Sequence, residues 1–356
     1  MSQRKFLVAL PASVLLLAAV GIAAAAEETP ASKTAEAKPP DPAAERLAGE
    51  VAGKGWIVFS AKTEKGDYDL FVCRPDGSSR RNITNTPEFS EFGGRFAPDG
   101  KKMLYRRLKK GAEVHHDKWG SVGTLVVADA DGSHPVAQGA DGELPWASWA
   151  GDCRRFACLE DQIRIRDTET KKVLQEMPRQ GIFQQMYWSP DGKRLCGTAN
   201  VSGRQWNVVS IELDSGKATL LTRKLNCTPD WFQHDPLRVV YCNRTPGIAN
   251  GYGFTMLMQA TADGKGRTLI YGELGRHVYY GCTSPDDKYV VFSRPVSDGG
   301  LDGPMAVVRL ADTPIIVPET YTDLKELYPD AKPGPVLHLP HRGFEPHWTY
   351  AEIGEK

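Results

Sequence analysis

No sign of charge prevails in this 356-residue chain: 44 Lys and Arg stand against 44 Asp and Glu, a formal net charge of zero. Without a basic excess to neutralise phosphates, nucleic acid is excluded as the main partner. No C-x-x-C spacing occurs among the seven cysteines, so a zinc ribbon or a thioredoxin-type motif is unsupported. No G-x-S-x-G elbow is present, and the chain is too short to add an α/β-hydrolase domain, which argues against a peptidase. No stretch past residue 50 carries a long 3.6-residue period, so helices are minor. Beyond the first 26 residues no apolar run is long enough to span a bilayer. What is plentiful is turn-formers: 35 Gly and 25 Pro, as an all-β repeat fold requires.

The one long apolar run is at the start. "MSQRK" is a basic n-region, "FLVALPASVLLLAAVGI" an apolar core, and "AAAA" ending at Ala26 a small-residue cleavage site. Residues 1–26 are therefore read as a signal peptide, and a periplasmic or secreted location is expected. A retained membrane anchor is the alternative. The absence of cysteine there makes a lipoprotein anchor unsupported. Residues 27–50, rich in Ala, Pro, Glu and Lys without apolar periodicity, are expected to be a flexible linker.

A repeat organises the rest. "FAPDGKKMLY" begins at Phe96, "WSPDGKRLCG" at Trp188 and "TSPDDKYVVF" at Thr283, with degenerate copies from Trp149 ("WAGDCRRFAC") and Trp231 ("WFQHDPLRVVYC") between them. The period is roughly 45–50 residues, the size of a four-stranded propeller blade. Each unit has an aromatic strand, the turn, an apolar strand such as "RLCGT" (194–198), and a third strand ending in a D-G turn, as in "GTLVVADADG" (123–132). Six such units predict a six-bladed, all-β propeller of four-stranded antiparallel blades over residues 51–350, followed by a tail at 351–356. Its ends are expected to join by pairing Glu345–Tyr350 with Trp56–Ser60, which leaves no open edge.

The turn "SPDG" at Ser189–Gly192 is accounted for without chemistry. Pro190 presets φ, Asp191 bonds local backbone, Gly192 accepts positive φ, and the serine caps. A nucleophile would need a base at a fixed offset, and one Asp per turn is too few ligands for calcium. Up-and-down blades place these turns at one end of the ring. The long irregular loops, 107–122, 243–253, 294–303 and 318–343, lie at the other end, where function is sought.

With these residues in view, the W-S-P-D-G-K-x-L turn strand followed by a D-A-D-G turn resembles the TolB-like, WD-type propeller repeat family. The resemblance covers nearly all of the chain after the leader and is specific for fold, not activity. It implies a partner-binding propeller, although lyase-like enzymes share the repeat. The residues that could ring the channel mouth are His277, Tyr279 and Tyr280 in "GRHVYYGCTS", His338, His341, Arg342, Glu345 and His347 in "HLPHRGFEPHW", and His115, His116 and Asp117 in "AEVHHDKWG". They could bind a protein or carbohydrate partner in the cell envelope, with no cofactor, or hold a divalent metal for a lyase or hydrolase acting on a polysaccharide-like substrate. No catalytic residue is assigned, and an inactive remnant or sensor domain is a third reading. Trp146, Trp149, Trp188, Trp231 and Trp348 are expected to pack between blades. Cys227 and Cys242, flanking a hairpin near His234, are a candidate cross-strand disulfide.

Overall fold

The computed structural model describes residues 41–109, 111–112, 122–139, 142–143, 146–201, 204–222, 225–246, 252–273, 275–296, 302–317 and 334–354. The signal segment, His115, His116 and Asp117 lie outside them. Among the described residues the one α-helix is Pro42–Val51, and no helix is long and apolar enough to cross a membrane.

That helix corrects the linker expectation over its second half. Asp41 caps it, accepting from the Ala43 N–H at 2.9 Å, and Pro42 opens its first turn. Leu47 and Val51, four residues apart, are buried against Ile57, Phe59 and Trp348. Two apolar residues are too few to register as periodicity, yet they suffice once a core exists to receive them.

The remainder is a β-propeller. Six separate four-stranded sheets were the expectation, and hydrogen bonding corrects it to five: one of seven strands, two of four and two of five. The reason is the strand Val336–Thr349. Its first half pairs antiparallel with Gly303–Arg309 (Ala306↔His338, Val308↔Val336), and its second half pairs with Trp56–Lys62 (Ser60↔Phe344, Ile57↔Trp348, Trp56↔Thr349). One strand is thus the outermost of the last repeat unit and the innermost of the first. Most of its first half was expected to be loop, because Pro340, Arg342 and Gly343 interrupt the apolar pattern. At the outer edge of a sheet these residues are tolerated.

A second irregularity is the short strand Ile315–Ile316. It adds to the outer edge of the fifth unit (Thr268↔Ile316), with Val317 buried beyond it. It covers an edge that would otherwise present unpaired backbone groups. The C-terminal tail also docks: Arg81 donates to the carbonyls of Ile353 and Gly354, and Arg74 pairs with Glu352 at 2.9 Å.

The repeated turns form as expected. Ser189 N–H donates to Arg194 O at 2.8 Å and Gly192 N–H to Ser189 O at 2.9 Å. Ser189 Oγ donates to Asp191 at 2.6 Å and accepts from Arg194 N–H, and Gly192 has φ 73°. In "SPDD" the glycine place is taken by Asp287 at φ 56°. Its carboxylate repays the strain by accepting from the His234 and Asp235 N–H groups and the Thr283 hydroxyl.

Candidate functional site at the turn-side channel mouth

The innermost strands are Phe89–Phe96, Trp146–Trp149, Ile182–Trp188, Asn226–Trp231, Tyr279–Thr283 and the second half of Val336–Thr349. Five of them slip register at a bulge with positive φ: Gly93, Gln185, Thr228, Tyr280 and Glu345. Each bulge lies five residues before the turn-proline position, so the slips form a ring at one level. A bulge re-aims the side chains that follow it. Two residues on, in the repeat frame, come Arg95, Ser148, Tyr187, Asp230, Cys282 and His347.

These six side chains seal the inner edges. Arg95 Nη2 meets Asp230 Oδ2 at 2.6 Å, joining the second and fifth units, and its guanidinium lies 3.9 Å from the Tyr187 ring centre. His347 Nδ1 accepts the Phe96 N–H at 3.2 Å, which places its own ring hydrogen on Nε2. Ser148 Oγ accepts the Trp188 N–H at 3.0 Å. Burial opposes the Arg95 charge, but the Asp230 carboxylate, by its charge and its hydrogen bond, outweighs it and holds the guanidinium charged. Burial pushes the Asp230 carboxyl above its ordinary range against the pull of Arg95. Burial, then the Arg95 charge, keep His347 neutral, well below the usual histidine range.

Above this layer opens a cavity of about 620 Å³. Arg95, Asp230 and His347 contribute its floor, and Trp149, Trp188, Trp231 and Trp348 its wall. Pro98, Pro190 and Pro285 from the repeated turns form its rim. The tryptophans are packing residues, as expected. All four are buried, and Trp149, Trp231 and Trp348 donate their indole N–H to the carbonyls of Arg95, Tyr187 and Lys54 at 2.9, 3.1 and 2.8 Å. The cavity is on the turn side, the face that sequence reasoning set aside. Much of the opposite, loop-bearing face falls outside the described residues.

The residues singled out from sequence do not gather at one point. His277 is buried with its ring stacked on Tyr279 (5.9 Å, 3°), and Arg244 donates to the Tyr279 hydroxyl at 3.3 Å. Tyr280 is a bulge residue packed against Tyr279 and Phe344. His341 Nε2–H donates to Gly77 O at 2.7 Å on the outer part of the first unit, and Arg342 pairs with Asp302 at 3.2 Å. His338 is exposed on the first half of Val336–Thr349, and partial desolvation with the Arg294 charge holds it below the ordinary histidine range. Glu345 pairs with Arg106, whose guanidinium lies 3.8 Å from the Trp146 ring centre. Of the singled-out residues that are described, only His347 lines the cavity. Among the described residues no three His, Cys, Asp or Glu side chains are placed to share a metal ion.

Sequence reasoning missed Arg95, Tyr187 and Asp230. Aligning the copies on their turns finds them. Arg95 precedes Pro98 by three, Tyr187 precedes Pro190 by three, and Asp230 holds the same place before Gln233. Opposite charges at one repeat position inside apolar strands are the signal.

Cys227 and Cys242 face each other in register, as the hairpin spacing suggested, but no disulfide joins them. Thr228 Oγ1 donates to Cys242 Sγ at 2.8 Å. Six of the seven cysteines are buried, and burial pushes the Cys73, Cys158 and Cys282 thiols up to about 12. Only Cys153 is partly exposed. A thiol titration without reductant is therefore expected to give one reactive thiol in the native protein and seven in denaturant. Five in denaturant would mean the pair is bridged.

No family model matches this chain, and no curated protein does. Solved structures do. The chain is 15% identical to TolB from Acinetobacter baumannii, with a TM-score of 0.57, over 82% of this chain and 66% of that one. It thus spans just under two thirds of that protein's length. It is 17% identical to a putative TolB from Agrobacterium tumefaciens, with a TM-score of 0.57, over 83% of this chain and 93% of that one. A chain of a nidogen/laminin complex is matched at 12% identity and TM-score 0.51, over 74% of this chain and 94% of that one. Sequence repeat, strand order and these likenesses agree that the chain has a TolB-like β-propeller fold.

Proposed function

We propose that this chain is a partner-binding scaffold working outside the cytoplasm, a six-bladed propeller that receives a segment of a protein partner in its turn-side cavity. The seven-stranded sheet counts as two blades meeting in Val336–Thr349, which makes six blades and closes the ring between first and last. The observation that carries the reading is the 620 Å³ cavity itself, ringed by prolines and floored by a paired Arg95–Asp230. Its floor holds no nucleophile activated by a base: His347 is committed to the Phe96 N–H, and Cys282 is a buried, protonated thiol. A concave site whose walls mix aromatic surface with fixed polar and charged groups suits binding. The matched nidogen/laminin structure is a propeller seen with a protein partner, which supports a protein over a glycan. The basic–apolar–small-residue leader supports export.

The test places a photo-crosslinking residue at Pro190 on the rim and, separately, at Leu174 on an exposed outer strand, in the full chain within its own cells. A discrete protein adduct is expected from position 190 and not from 174, and it should be lost when Gln233→Trp narrows the mouth. Equal adducts from both positions, or none from 190, would overturn the cavity as the site. A glycan adduct would overturn the partner class.

A further inference from the structure

Two buried acids take no part in the cavity. Glu91 on the inner strand Phe89–Phe96 and Asp69 on Tyr68–Cys73 are 0% and 2% exposed, at the seam between the first and second units. Each carboxyl has one oxygen satisfied. Thr86 Oγ1 donates to Glu91 Oε1, and Asn82 Nδ2 donates to Asp69 Oδ2 at 2.5 Å. The other two oxygens, Glu91 Oε2 and Asp69 Oδ1, are buried and receive no donor. The two carboxyls are themselves within hydrogen-bond reach of each other. Two acceptor-only groups facing each other away from water would be strongly unfavourable, and a single proton between them turns the clash into a charge-assisted hydrogen bond.

We propose that Glu91 and Asp69 share one proton, carried on Glu91 and donated to Asp69, and that this acid–carboxylate bond is an alkaline-sensitive latch between the first two blades. Burial first, then the Asp69 charge, push the Glu91 carboxyl up to about 8, against hydrogen bonds from Thr86 and Thr84. One group opposes the proton: from the strand Lys102–Lys109, Arg107 stands opposite Glu91 in register, its Nε a buried donor without a partner and its guanidinium 4.4 Å from the Phe89 ring centre. On its other side Asp69 lies along the wall of a cavity of about 360 Å³ that also takes in Asp67, Lys62, Lys65 and Arg80. Opening is a plain deprotonation: hydroxide takes the Glu91 proton, water leaves, and two like charges remain at the seam. The same seam is stitched by Tyr68 N–H to Ser90 Oγ (3.2 Å) and Gly93 N–H to Ser60 Oγ (3.0 Å), so it loosens rather than separates. The absence of a third metal-ligating side chain among the described residues favours a proton over a metal ion.

The sign follows from a folded-state value above the unfolded one. The proton's contribution to stability is complete below about 4.3, the free Glu value, and is lost as the pH rises through about 8. Infrared difference spectra of the full chain are expected to show a protonated-carboxyl carbonyl band at pH 6.5 that vanishes through about pH 8. The band should be absent in Glu91→Gln and vanish at lower pH in Asp69→Asn. Glu91→Gln, which keeps a donor to Asp69, should resist more urea than wild type at pH 9. If it fails to fold, the Asp69→Asn band decides. The latch is overturned if no band is present at pH 6.5, if wild type and Glu91→Gln share one pH slope, or if calcium ion at pH 7 stabilises wild type and not Glu91→Gln.

Discussion

Replacing Arg95 by alanine is expected to cost about 3–5 kcal/mol of folding stability, the range for stranding one partner of a buried ion pair. The pair qualifies as buried: the Arg95 and Asp230 side chains are 14% and 8% exposed, 2.6 Å apart. Removing the guanidinium leaves Asp230 with only the Trp231 N–H at 2.8 Å. It also strips Tyr187 of its cation, and Trp149 would donate to a strand no longer held across the channel. Asp230→Ala should cost a similar amount, while Arg95→Met/Asp230→Leu together should cost much less, because both desolvation penalties vanish with the charges. Urea unfolding checks this: the midpoint should fall sharply in each single variant with the slope unchanged. Singles that lose under about 1 kcal/mol, the range of a surface pair, would mean the channel floor is wet.

Gly55→Ala is expected to lose about 3 kcal/mol or more, combining ~1–2 kcal/mol for a left-handed non-glycine residue with ~1–3 kcal/mol of overpacking. Gly55 has φ +73°, and an added Cβ would fall 1.9 Å from Thr349 O and 2.5 Å from Tyr350 Cα, both backbone atoms that cannot rotate aside. It stands one residue before Trp56, which pairs with Thr349. The damage should therefore appear as faster amide exchange over Trp56–Ser60 before any global loss. An alanine variant within about 0.5 kcal/mol of wild type, the scale of an ordinary surface change, would show that the two strand ends do not approach so closely.

The architecture was legible because its signals are local. A turn such as Ser189–Gly192 is fixed by four adjacent residues, and its recurrence set the period. The bulge ring was not legible. Gln185, Thr228, Tyr280 and Glu345 share no side-chain chemistry, and their left-handed backbone is imposed by neighbouring strands. The double duty of Val336–Thr349 was half legible. Aromatic residues after Glu345 announced an inner strand, while Pro340 and Gly343 hid the outer one. The candidate site was read at the wrong grain. Histidines drew attention as ligands, yet His341 and Glu345 are consumed by Gly77 and Arg106. Arg95 and Asp230, 135 residues apart, stand out only once the copies are aligned on their turns.

The strand that serves two sheets also sets a schedule. Trp56–Lys62 and Tyr68–Cys73 leave the ribosome early, but the strand that flanks them on the inside ends at Thr349. At about 5–20 residues per second, synthesis leaves that first apolar edge without its neighbour for on the order of tens of seconds. During that interval Ile57, Val58 and Phe59 offer a strand to any other chain in reach. A nascent propeller of this design needs its edge sheltered until its last residues are made.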